Sequence, residues 1–441
     1  MKLTKRYFAT MVFGCQMNTS DSERLSGQAR RLGYTYTDQL SEADLILVST
    51  CCVRESAEQK IYGKLGELKR LKQVNPQLII VVTGCMVQKN REALLKHAAH
   101  IDILLGTHNL HQLGTLLEDI RTVRKPIVAV WEQAGKDMPE VPILRRAGVS
   151  AWVPIMYGCN NFCTYCIVPY VRGRERSRST EDIVKEIREL IAEGFKEVTL
   201  LGQNVNSYGK DLIPPVEFGE LLASVDLMPG IERIRYMTSH PRDVSDQMIE
   251  TIHSSKHICK HFHLPIQSGS DEILQRMNRG YTTDIYMELI TRIRRVIPDA
   301  SFTTDIIVGF PGETEEHFAQ TIELVEKAGF DAAYTFLFSQ RSGTPAAEME
   351  AQIPQQVKKD RLARLTEVQN KISLAINKQL VGTIVSVLVE GTSKTKSDIM
   401  MGRTGTNKIV LWPGTLEDVG KIVQIKIDTA QTWLLKGTKI I

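Results

Sequence analysis

The hydrophobic pattern of residues 7–120 alternates short apolar runs with helical patterns. The runs are "YFATMVFGC", "DLILVSTC", "LIIVVTGC" and "DILLGT". Helical periodicity follows each run, near residues 21–32, 55–72, 90–97 and 110–120. Strands and helices that alternate in this order predict a doubly wound parallel sheet. We expect this α/β domain to span residues 1–120.

A second alternating region covers residues 151–375. Before it, residues 121–150 combine Pro126, Pro139 and Pro142 with charges and lack a helical period, so we predict a linker there. The apolar runs of the second region are "WVPIMYG", "EVTLLGQNV", "RIRYMTSH", "HFHLPIQSG", "SFTTDIIVGF" and "AAYTFLFSQ". Six strand–helix units predict a partial (βα)6 barrel, in which chemistry gathers at the carboxyl ends of the strands. Polar side chains at these ends include Gln203, Asn204, Gln267 and Ser268.

Residues 376–441 form a third region with alternating strand patterns and a glycine-rich turn, which predict a small β-barrel. This region holds nine lysines and arginines against five acidic residues, and so carries the whole formal charge of +4. A basic module attached to a neutral body indicates a polyanion partner, although a solvated charged surface is the alternative. The candidates for phosphate contacts in this region are Lys394, Lys396, Arg403 and Lys408. A second basic run could also contact phosphates or simply be solvated, and it comprises Arg172, Arg174, Arg176 and Arg178.

Composition narrows the class of protein. A hydrophobic content of 42% and a charged content of 24% are ordinary for a soluble globular protein. No apolar run approaches the roughly 20 residues that a membrane helix needs, and the opening residues lack the apolar length of a signal peptide. We therefore expect a cytoplasmic protein without a membrane partner. In that compartment the eight cysteines predict metal binding, catalysis or burial, and not disulfides.

Three cysteines stand at the ends of predicted strands in the first domain. Cys15, Cys51 and Cys85 close the runs ending in "FGC", "STC" and "TGC". The carboxyl ends of strands in an open α/β sheet face one crevice, so we expect these thiols to lie close together. Independent burial of the three is the alternative, and it is our interpretation of the neighbouring Cys52.

A second set of three cysteines lies in the stretch "YGCNNFCTYC" after the first barrel strand. Cys159, Cys163 and Cys166 are spaced as ligands of a soft metal centre. A structural zinc site requires four ligands, and the distant Cys259, which precedes the fourth strand, is expected at the opposite face of the barrel. A four-iron cluster held by three thiolates leaves one iron open to substrate. The loop therefore favours an iron–sulfur cluster, with zinc as the alternative.

The spacing Cys-x3-Cys-x2-Cys, with Tyr165 before the last cysteine, resembles the motif of radical S-adenosylmethionine (SAM) enzymes. Together with Cys15, Cys51 and Cys85 and the basic third region, it makes the whole chain similar to the radical SAM methylthiotransferases. The resemblance implies two 4Fe-4S clusters and SAM as cofactors. It assigns the barrel cysteines to the SAM-binding cluster and the N-terminal cysteines to an auxiliary cluster. It also implies SAM contacts at the strand ends, by Gln203, Asn204, Gln267 and Ser268, and no catalytic side chain beyond the cluster ligands.

The third region resembles the TRAM domain, an OB-like RNA-binding module. The stretches "VLVEG", "MGRTGTNKIV", "HLPIQSGS" and "QRMNRGYT" are similar to the branch of the family that modifies dimethylallyladenosine in tRNA. That branch implies transfer of a methylthio group to carbon 2 of N6-dimethylallyladenosine next to the anticodon, with SAM as methyl donor and radical source. The implied partners are the anticodon arm of tRNA, a low-potential electron donor such as flavodoxin or ferredoxin, and a sulfur source.

Three other functions remain open at the level of the sequence. Two are methylthiotransferases that act on threonylcarbamoyl-adenosine in tRNA or on an aspartate of a ribosomal protein. The third is a non-catalytic RNA-binding protein that carries a metal cluster, which the cysteines and the basic third region alone would allow.

Overall fold

The computed structural model describes residues 5–52, 55–123, 125–133, 135 and 141–440, with side chains for all of these except residues 55–59. The chain forms two compact units. The N-terminal unit comprises Met1–Ala147, Tyr157–Asn160 and Ile167–Glu175. The barrel unit comprises Gly148–Met156, Asn161–Cys166 and Arg176–Ile441.

The N-terminal unit is built on a six-stranded sheet in which every neighbouring pair is parallel. Its strands are β1 (Arg6–Val12), β2 (Tyr34–Tyr36), β3 (Leu45–Thr50), β4 (Ile79–Gly84), β5 (Ile103–Leu105) and β6 (Ile127–Ala129). Their order across the sheet is β2-β1-β3-β4-β5-β6. The two central strands, β3 and β4, are buried almost throughout, as expected for parallel strands covered on both faces.

Helices cover both faces of this sheet: α1 (Gln16–Arg31), α2 (Glu55–Val74), α3 (Cys85–Asn90), α4 (Ala93–His97) and α5 (Leu113–Val123). Leu45 and Leu47 of β3 point into the apolar cluster that contains side chains of α1 and α5. Ile46 and Val48, on the other face, join the cluster that contains side chains of α2 and α3. The alternation along β3 thus divides the core into two layers, and the predicted doubly wound sheet is confirmed.

Residues 121–150 differ from the expected linker in their first part. Helix α5 ends at Val123, and β6 pairs in parallel with β5 from Ile127 opposite Ile103 to Ala129 opposite Leu105. The linker prediction is therefore wrong for these residues. A three-residue edge strand is too short to show a period, and only its backbone hydrogen bonds to β5 define it.

The barrel unit contains six parallel strands in sequence order. The strands of this region are β7 (Ser150–Pro154), β10 (Glu197–Leu201), β11 (Arg233–Tyr236), β12 (His261–His263), β13 (Ser301–Val308) and β14 (Ala332–Leu337), and two short strands, β8 (Met156–Tyr157) and β9 (Arg176–Ser177), follow β7. β7, β10 and β11 form one parallel sheet, and β12, β13 and β14 form another. A parallel bridge between Ile234 and Ile258 joins the two. All six predicted barrel strands are present.

The helices of this region are α6 (Val168–Arg172), α7 (Thr180–Ala192), α8 (Phe218–Asp226), α9 (Asp246–Ser254), α10 (Asp271–Arg276), α11 (Thr283–Val296), α12 (Glu315–Ala328) and α13 (Gln355–Lys378). Helix α6 belongs to the N-terminal unit, and the others belong to the barrel unit. Phe262 of β12 stacks on Phe302 of β13, with ring centroids 5.7 Å apart. Both rings join Tyr286 and Ile290 of α11 in the core, which places the helices outside the strands.

The C-terminal region is a closed five-stranded barrel in the order β15-β16-β17-β19-β18. The strands are β15 (Ile384–Thr392), β16 (Ile399–Thr404), β17 (Ile409–Pro413), β18 (Ile422–Ala430) and β19 (Leu434–Lys439). Alternate residues of β18 are buried, and Trp412 lies in the centre with Val387 and Ile425. The predicted small β-barrel is confirmed. None of the described helices has the length and apolar character needed to cross a bilayer.

Candidate functional site

The three N-terminal cysteines lie at the carboxyl ends of neighbouring strands. Cys15 follows β1 and caps the start of α1. Cys51 follows β3, and Cys85 is the first residue of α3, directly after β4. Because β1, β3 and β4 are adjacent in the sheet, their carboxyl ends share one edge. The structure therefore brings these three residues to the place that the sequence predicts.

Two glycines allow the strand ends to approach each other. Gly14, with φ of +121°, precedes Cys15, and a Cβ atom there would lie 2.5 Å from the Cβ atom of Cys51. Gly84, with φ of +101°, precedes Cys85, and a Cβ atom there would lie 2.1 Å from the backbone oxygen of Thr50. Both positions combine a backbone conformation that favours glycine with a contact that excludes a side chain.

Arg172 of α6 enters the same edge of the sheet. Its side chain is 5% exposed, and Nη2 donates to Oδ1 of Asn18 and to Oδ2 of Asp21, both at 2.8 Å. Burial opposes the charge, but Asp21 and then Cys85 and Cys15 raise the pKa of Arg172. The guanidinium therefore stays charged beside two of the three cysteines. Because Arg172 is buried in an ion pair with Asp21, it is not exposed to RNA phosphates. The possibility that Arg172 contacts RNA is therefore wrong.

Cys52 is buried, as predicted, and it also contacts a candidate ligand. Both thiols lie in the same apolar cluster. Interaction with the Cys52 thiol, followed by the positive charge of Arg172, lowers the pKa of Cys85 although burial acts in the opposite direction. The same interaction and burial raise the pKa of Cys52. The lower pKa favours the thiolate form of Cys85, which is the form that binds metal.

The donor set at this edge suits an iron–sulfur cluster. Cysteine thiolates are the usual ligands of such clusters, and a buried arginine suits their negative charge. No group of three His, Cys, Asp or Glu side chains in the described part of the chain is arranged to hold a single metal ion.

The second cysteine set begins in the N-terminal unit. The backbone N–H of Cys159 donates to the oxygen of Gly173 at 3.1 Å. Gly158 has φ of +79°, and a Cβ atom there would lie 2.1 Å from the backbone oxygen of Arg174. Backbone contacts therefore fix the start of the loop to residues 173–174.

The rest of the loop belongs to the barrel unit. The N–H of Cys166 donates to the oxygen of Cys163 at 2.9 Å, which makes a tight turn. Between them, the hydroxyl of Thr164 donates to the oxygen of Arg276 at 2.9 Å, and Tyr165 packs against the apolar cluster that contains Met277. Thr164 and Tyr165 thus attach the centre of the loop to the segment that contains Arg276 and Met277.

Arg279 contacts a predicted cluster ligand directly. Its Nη1 donates to Sγ of Cys163 at 3.4 Å, and its Nη2 donates to the oxygen of Pro265 at 2.7 Å. Nearby, the side-chain amide of Asn278 donates to the oxygen of Phe162 at 3.1 Å. The stretch "QRMNRGYT", which the sequence marks only by resemblance, is thus the segment that holds the cysteine loop.

Gln203 and Asn204 at the end of β10 have different surroundings. Asn204 is 1% exposed; its Nδ2 donates to Oδ2 of Asp243 at 2.8 Å, and its Oδ1 accepts the N–H of His240 at 2.9 Å. Both ends of that amide are therefore used within the protein. Oε1 of Gln203 is buried and has no hydrogen-bond partner among the described residues, so Gln203 offers an acceptor to a ligand.

Gln267 and Ser268 follow β12 in a tight turn. Gln267 has φ of +75°, and its backbone N–H and oxygen bond to Asp305 and Ile307, both at 2.9 Å. The hydroxyl oxygen of Ser268 accepts the N–H of Ser270 at 3.3 Å. Both side chains are nearly buried. The hydrogen bond from Ser270 indicates that the Ser268 side chain stabilises the turn.

Comparison with known families matches three separate regions. The radical SAM superfamily matches residues 153–325, the uncharacterized protein family UPF0004 matches residues 7–106, and the TRAM domain matches residues 378–440.

Curated relatives match nearly the whole chain. The tRNA-2-methylthio-N(6)-dimethylallyladenosine synthase of Acetivibrio thermocellus is 52% identical over 436 residues, which cover 98% of this chain and 91% of the relative. The protein of the same name from Carboxydothermus hydrogenoformans is 51% identical over 440 residues, 99% of this chain and 100% of the relative. This chain belongs to the tRNA-2-methylthio-N(6)-dimethylallyladenosine synthase family.

Solved structures resemble the fold of this synthase-family chain at low identity. The radical S-adenosylmethionine methyltransferase TsrM from Kitasatospora setae aligns with a TM-score of 0.59 and 14% identity, over 78% of this chain and 74% of that one. The cobalamin-dependent S-adenosylmethionine radical enzyme OxsB aligns with a TM-score of 0.52 and 12% identity, over 83% of this chain and 56% of that one. These matches support the predicted architecture.

The TRAM domain of this synthase-family member docks on the amino ends of the barrel strands. Arg233, the first residue of β11, donates to the oxygen of Ser386 at 2.9 Å. Arg235 donates to the oxygen of Thr404, and Ser301 donates to the oxygen of Thr406, both at 2.9 Å. The turn between β16 and β17 of the TRAM domain therefore lies against the amino ends of the strands of the radical SAM barrel.

The four cations that the sequence predicts to contact RNA differ in exposure and in their partners within the protein. Lys408 is 12% exposed and bonds to Asp331 at 2.6 Å and to Asn377 at 2.9 Å. Arg403 forms an ion pair with Glu390 at 3.2 Å and is about one-third exposed. Lys394 and Lys396 are exposed, in the turn between β15 and β16. Lys408 is thus committed within the protein, and Lys394 and Lys396 are the better candidates for phosphate contacts.

Proposed function

We propose that this chain is a tRNA methylthiotransferase that adds a methylthio group to carbon 2 of N6-dimethylallyladenosine next to the anticodon. One observation carries the proposal. A chain that matches the synthase family over nearly its whole length holds two separate sets of three cysteines, and the buried Arg279 donates a hydrogen bond to Cys163 of the second set. We infer a cytoplasmic location, since tRNA is the proposed substrate.

The two sets of thiols would hold two clusters with different roles. Cys159, Cys163 and Cys166 would hold the SAM-binding 4Fe-4S cluster, with one iron left without a protein ligand. Cys15, Cys51 and Cys85 would hold the auxiliary 4Fe-4S cluster, which would supply the chemistry of sulfur insertion. When bound, the clusters and SAM supply the one-electron chemistry that an unactivated aromatic carbon requires.

The side chains around each set orient the ligands and bind SAM. Arg279 donates to the Cys163 sulfur at 3.4 Å and so orients this ligand. Gln203 presents an unpaired acceptor that suits the amino group of SAM. Asn204, the next residue, is itself held by Asp243 and by the backbone of His240. We propose that Gln267 and Ser268 form the turn beside the carboxyl ends of the barrel strands, where SAM would bind.

The TRAM domain would hold the anticodon arm of the tRNA. Lys394 and Lys396 extend from one exposed turn, where ammonium groups can reach phosphates without disturbing the core. Phosphate contacts position RNA, whereas the adenine would be recognised by its exposed base edges. The reaction also needs a low-potential electron donor, such as flavodoxin or ferredoxin, and a sulfur source.

The direct test is turnover by anaerobically reconstituted protein. tRNA carrying dimethylallyladenosine but no methylthio group is incubated with the protein, SAM and dithionite, and the nucleosides are analysed by mass spectrometry. The expected product is the 2-methylthio nucleoside. Parallel reactions contain tRNA with threonylcarbamoyl-adenosine, or the ribosomal protein with its target aspartate. Product in either of those reactions alone would assign the chain to another substrate.

Metal analysis of the same preparation separates the enzyme from a non-catalytic binding protein. Two four-iron clusters give about eight iron atoms and about eight sulfides per chain. Zinc near one atom per chain, with no iron uptake, would contradict the proposal.

A further inference from the structure

We propose that Asp305, His263 and Tyr334 form the subsite that receives the target base: the Asp305 carboxylate accepts the N–H on N6, and the purine stacks on the ring of Tyr334. This base-binding subsite lies on the inner face of the radical SAM barrel. The inference rests on the proposed function, because it takes N6-dimethylallyladenosine in RNA as the substrate.

Alternation along the strands decides which side chains face the interior of the barrel. Phe262 of β12 and Phe302 of β13 pack outward against α11, so their neighbours His263 and Thr303 point the other way. The hydrogen bond of 3.0 Å between Nδ1 of His263 and the hydroxyl of Thr303 confirms that these two share a face. Asp305 lies two residues further along β13 and therefore belongs to the same face.

The three side chains of the subsite meet beside the carboxyl end of β12, of which His263 is the last residue. Asp305 and Tyr334 are register partners on β13 and β14. The rings of His263 and Tyr334 form an edge-to-face pair with centroids 5.8 Å apart. The backbone oxygen of Asp305 accepts the N–H of Gln267 at 2.9 Å. The subsite thus borders the turn where we propose that SAM binds.

Asp305 and Tyr334 have binding capacity that the fold does not use. Tyr334 is 55% exposed although it lies on the inner face. The Asp305 carboxyl group is 28% exposed, and the structure gives it one side-chain partner among the described residues, Nε2 of His263 at 3.6 Å. That distance is too long for a hydrogen bond. The inner face therefore offers an acceptor and an open aromatic ring to a flat ligand with an N–H donor.

Adenine fits this arrangement by its donor pattern. An ionised carboxylate only accepts hydrogen bonds, whereas the ring nitrogens of adenine are acceptors and its exocyclic N6 amine carries the donor. N6-dimethylallyladenosine keeps one N–H on that amine. Proteins commonly recognise single-stranded RNA bases by stacking them on aromatic side chains and by hydrogen bonds to their edges. Tyr334 and Asp305 would supply one contact of each kind.

The experiment measures the affinity of the reconstituted full-length protein for two RNA hairpins that reproduce a tRNA anticodon arm, by fluorescence anisotropy. One hairpin carries N6-dimethylallyladenosine, and the other carries the same base with a methyl group in place of the remaining N6 hydrogen. The variants are Asp305→Ala, Asp305→Asn, Tyr334→Leu and Tyr334→Phe. The matched control is Asp299→Ala, an exposed aspartate ahead of the same strand. SAM binding is measured on every protein.

The unaltered protein should bind the first hairpin about tenfold more tightly than the methylated one, because the methyl group removes a hydrogen bond to a charged acceptor. Asp305→Ala should lower the affinity for the first hairpin only and so remove the discrimination. Asp305→Asn, which keeps an uncharged acceptor, should retain part of it. Tyr334→Leu should weaken the binding of both hairpins about tenfold. Tyr334→Phe, which keeps the ring, and Asp299→Ala should match the unaltered protein.

A pocket that acts only by its shape gives a different pattern. Asp305→Ala would then raise the affinity for the methylated hairpin and leave the first unchanged. That result, or equal affinities for the two hairpins in the unaltered protein, would overturn the inference. Loss of SAM binding in Asp305→Ala with the discrimination intact would also overturn it, by assigning the carboxylate to the cofactor. The comparison in the unaltered protein does not depend on the folding of any variant.

Turnover of the first hairpin, with SAM and dithionite, separates this inference from the proposed function. Equal affinities for the two hairpins in a protein that makes the 2-methylthio product would overturn the base-binding subsite alone. A protein that binds neither hairpin and makes no product would contradict the proposed function, and this inference with it.

Discussion

Lys408 of the TRAM domain lies 2.6 Å from Asp331 of the radical SAM barrel, measured between Nζ and Oδ1. The two side chains are 12% and 15% exposed, and the lysine also bonds to Asn377 of α13 at 2.9 Å. An ion pair this sheltered is weakly screened by salt. The basic C-terminal region therefore uses one of its cations to attach the TRAM domain to the barrel.

Lys408→Met should destabilise the protein without weakening its attraction to RNA. Removing one partner of a sheltered ion pair leaves Asp331 without its counter-charge, and we expect the free energy of unfolding to fall by about 2 kcal/mol. The measurement is urea-induced unfolding. The matched control is Lys421→Met, in the same domain, whose side chain is 63% exposed. Equal stability of the two variants would show that the contact with Asp331 contributes nothing.

Lys394→Ala combined with Lys396→Ala should have the opposite effect. Both side chains are exposed, so the free energy of unfolding should not change. If each lysine contacts a phosphate, the log–log dependence of tRNA affinity on salt should lose up to about 0.9 per lysine. The measurement is tRNA binding across a salt series. Lys371→Ala, on the exposed face of α13, serves as the control, and a salt slope equal to that control would assign these charges to solvent.

The two cysteine sets should be separable by substitution. Alanine at any one of Cys159, Cys163 and Cys166 should abolish 5′-deoxyadenosine formation from SAM, because a cluster with two protein ligands is labile. Alanine at Cys15, Cys51 and Cys85 together should remove about half of the iron, leave SAM cleavage and stop sulfur insertion. The measurements are iron content, 5′-deoxyadenosine and the modified nucleoside.

Cys259→Ala provides the control for these substitutions. Cys259 is buried beside Arg235 and Glu197, near the amino ends of the barrel strands, and its loss should leave all three readouts near the unmodified level. Loss of SAM cleavage in a folded protein that lacks only the N-terminal cysteines would contradict the division of roles.

Gly84→Ala should weaken the auxiliary site through the backbone. The new Cβ atom would lie 2.1 Å from the oxygen of Thr50, at a φ of +101°, and we expect a loss of about 2–3 kcal/mol in the free energy of unfolding. Iron bound by the N-terminal cysteines should fall as well, because Cys85 is the next residue. Gly63→Ala, in open space on α2, should change stability by no more than about 1 kcal/mol. A Gly84→Ala protein as stable as Gly63→Ala would show that the strand end is not constrained.

His240 should make the barrel unit sensitive to acid. Burial, followed by the charge of Arg279, lowers the pKa of His240 from its ordinary 6.5 to about 3; Arg242 and Lys210 act in the same direction and Asp243 opposes them. Below pH 6.5 the unfolded chain binds a proton that the folded chain does not, so stability falls with falling pH. At pH 5 the loss is about 2 kcal/mol. His240→Asn should flatten the stability curve between pH 6.5 and pH 4, and parallel curves for the two proteins would refute the assignment.

The sequence determined the elements that depend on local pattern. The six strands of the radical SAM barrel each show a run of apolar residues, and all six are present. Cys15, Cys51 and Cys85 could be placed together because parallel strands share an edge at their carboxyl ends. The short spacing of Cys159, Cys163 and Cys166 needs no knowledge of the fold to indicate a metal centre. Strands β2 and β6 were missed, since three residues are too few to show alternation.

Tertiary structure decided which charged side chains meet. Arg172 and Asp21 are 151 residues apart in the sequence, Arg279 and Cys163 are 116 apart, and Lys408 and Asp331 are 77 apart. In the sequence each of these cations resembles its exposed neighbours, because charge patterns do not show which side chain will be buried. Packing of α6, of the segment after α10 and of the TRAM turn makes that choice. A buried charge must find its partner in three dimensions, so the contact of Arg279 with Cys163 is visible only in the folded chain.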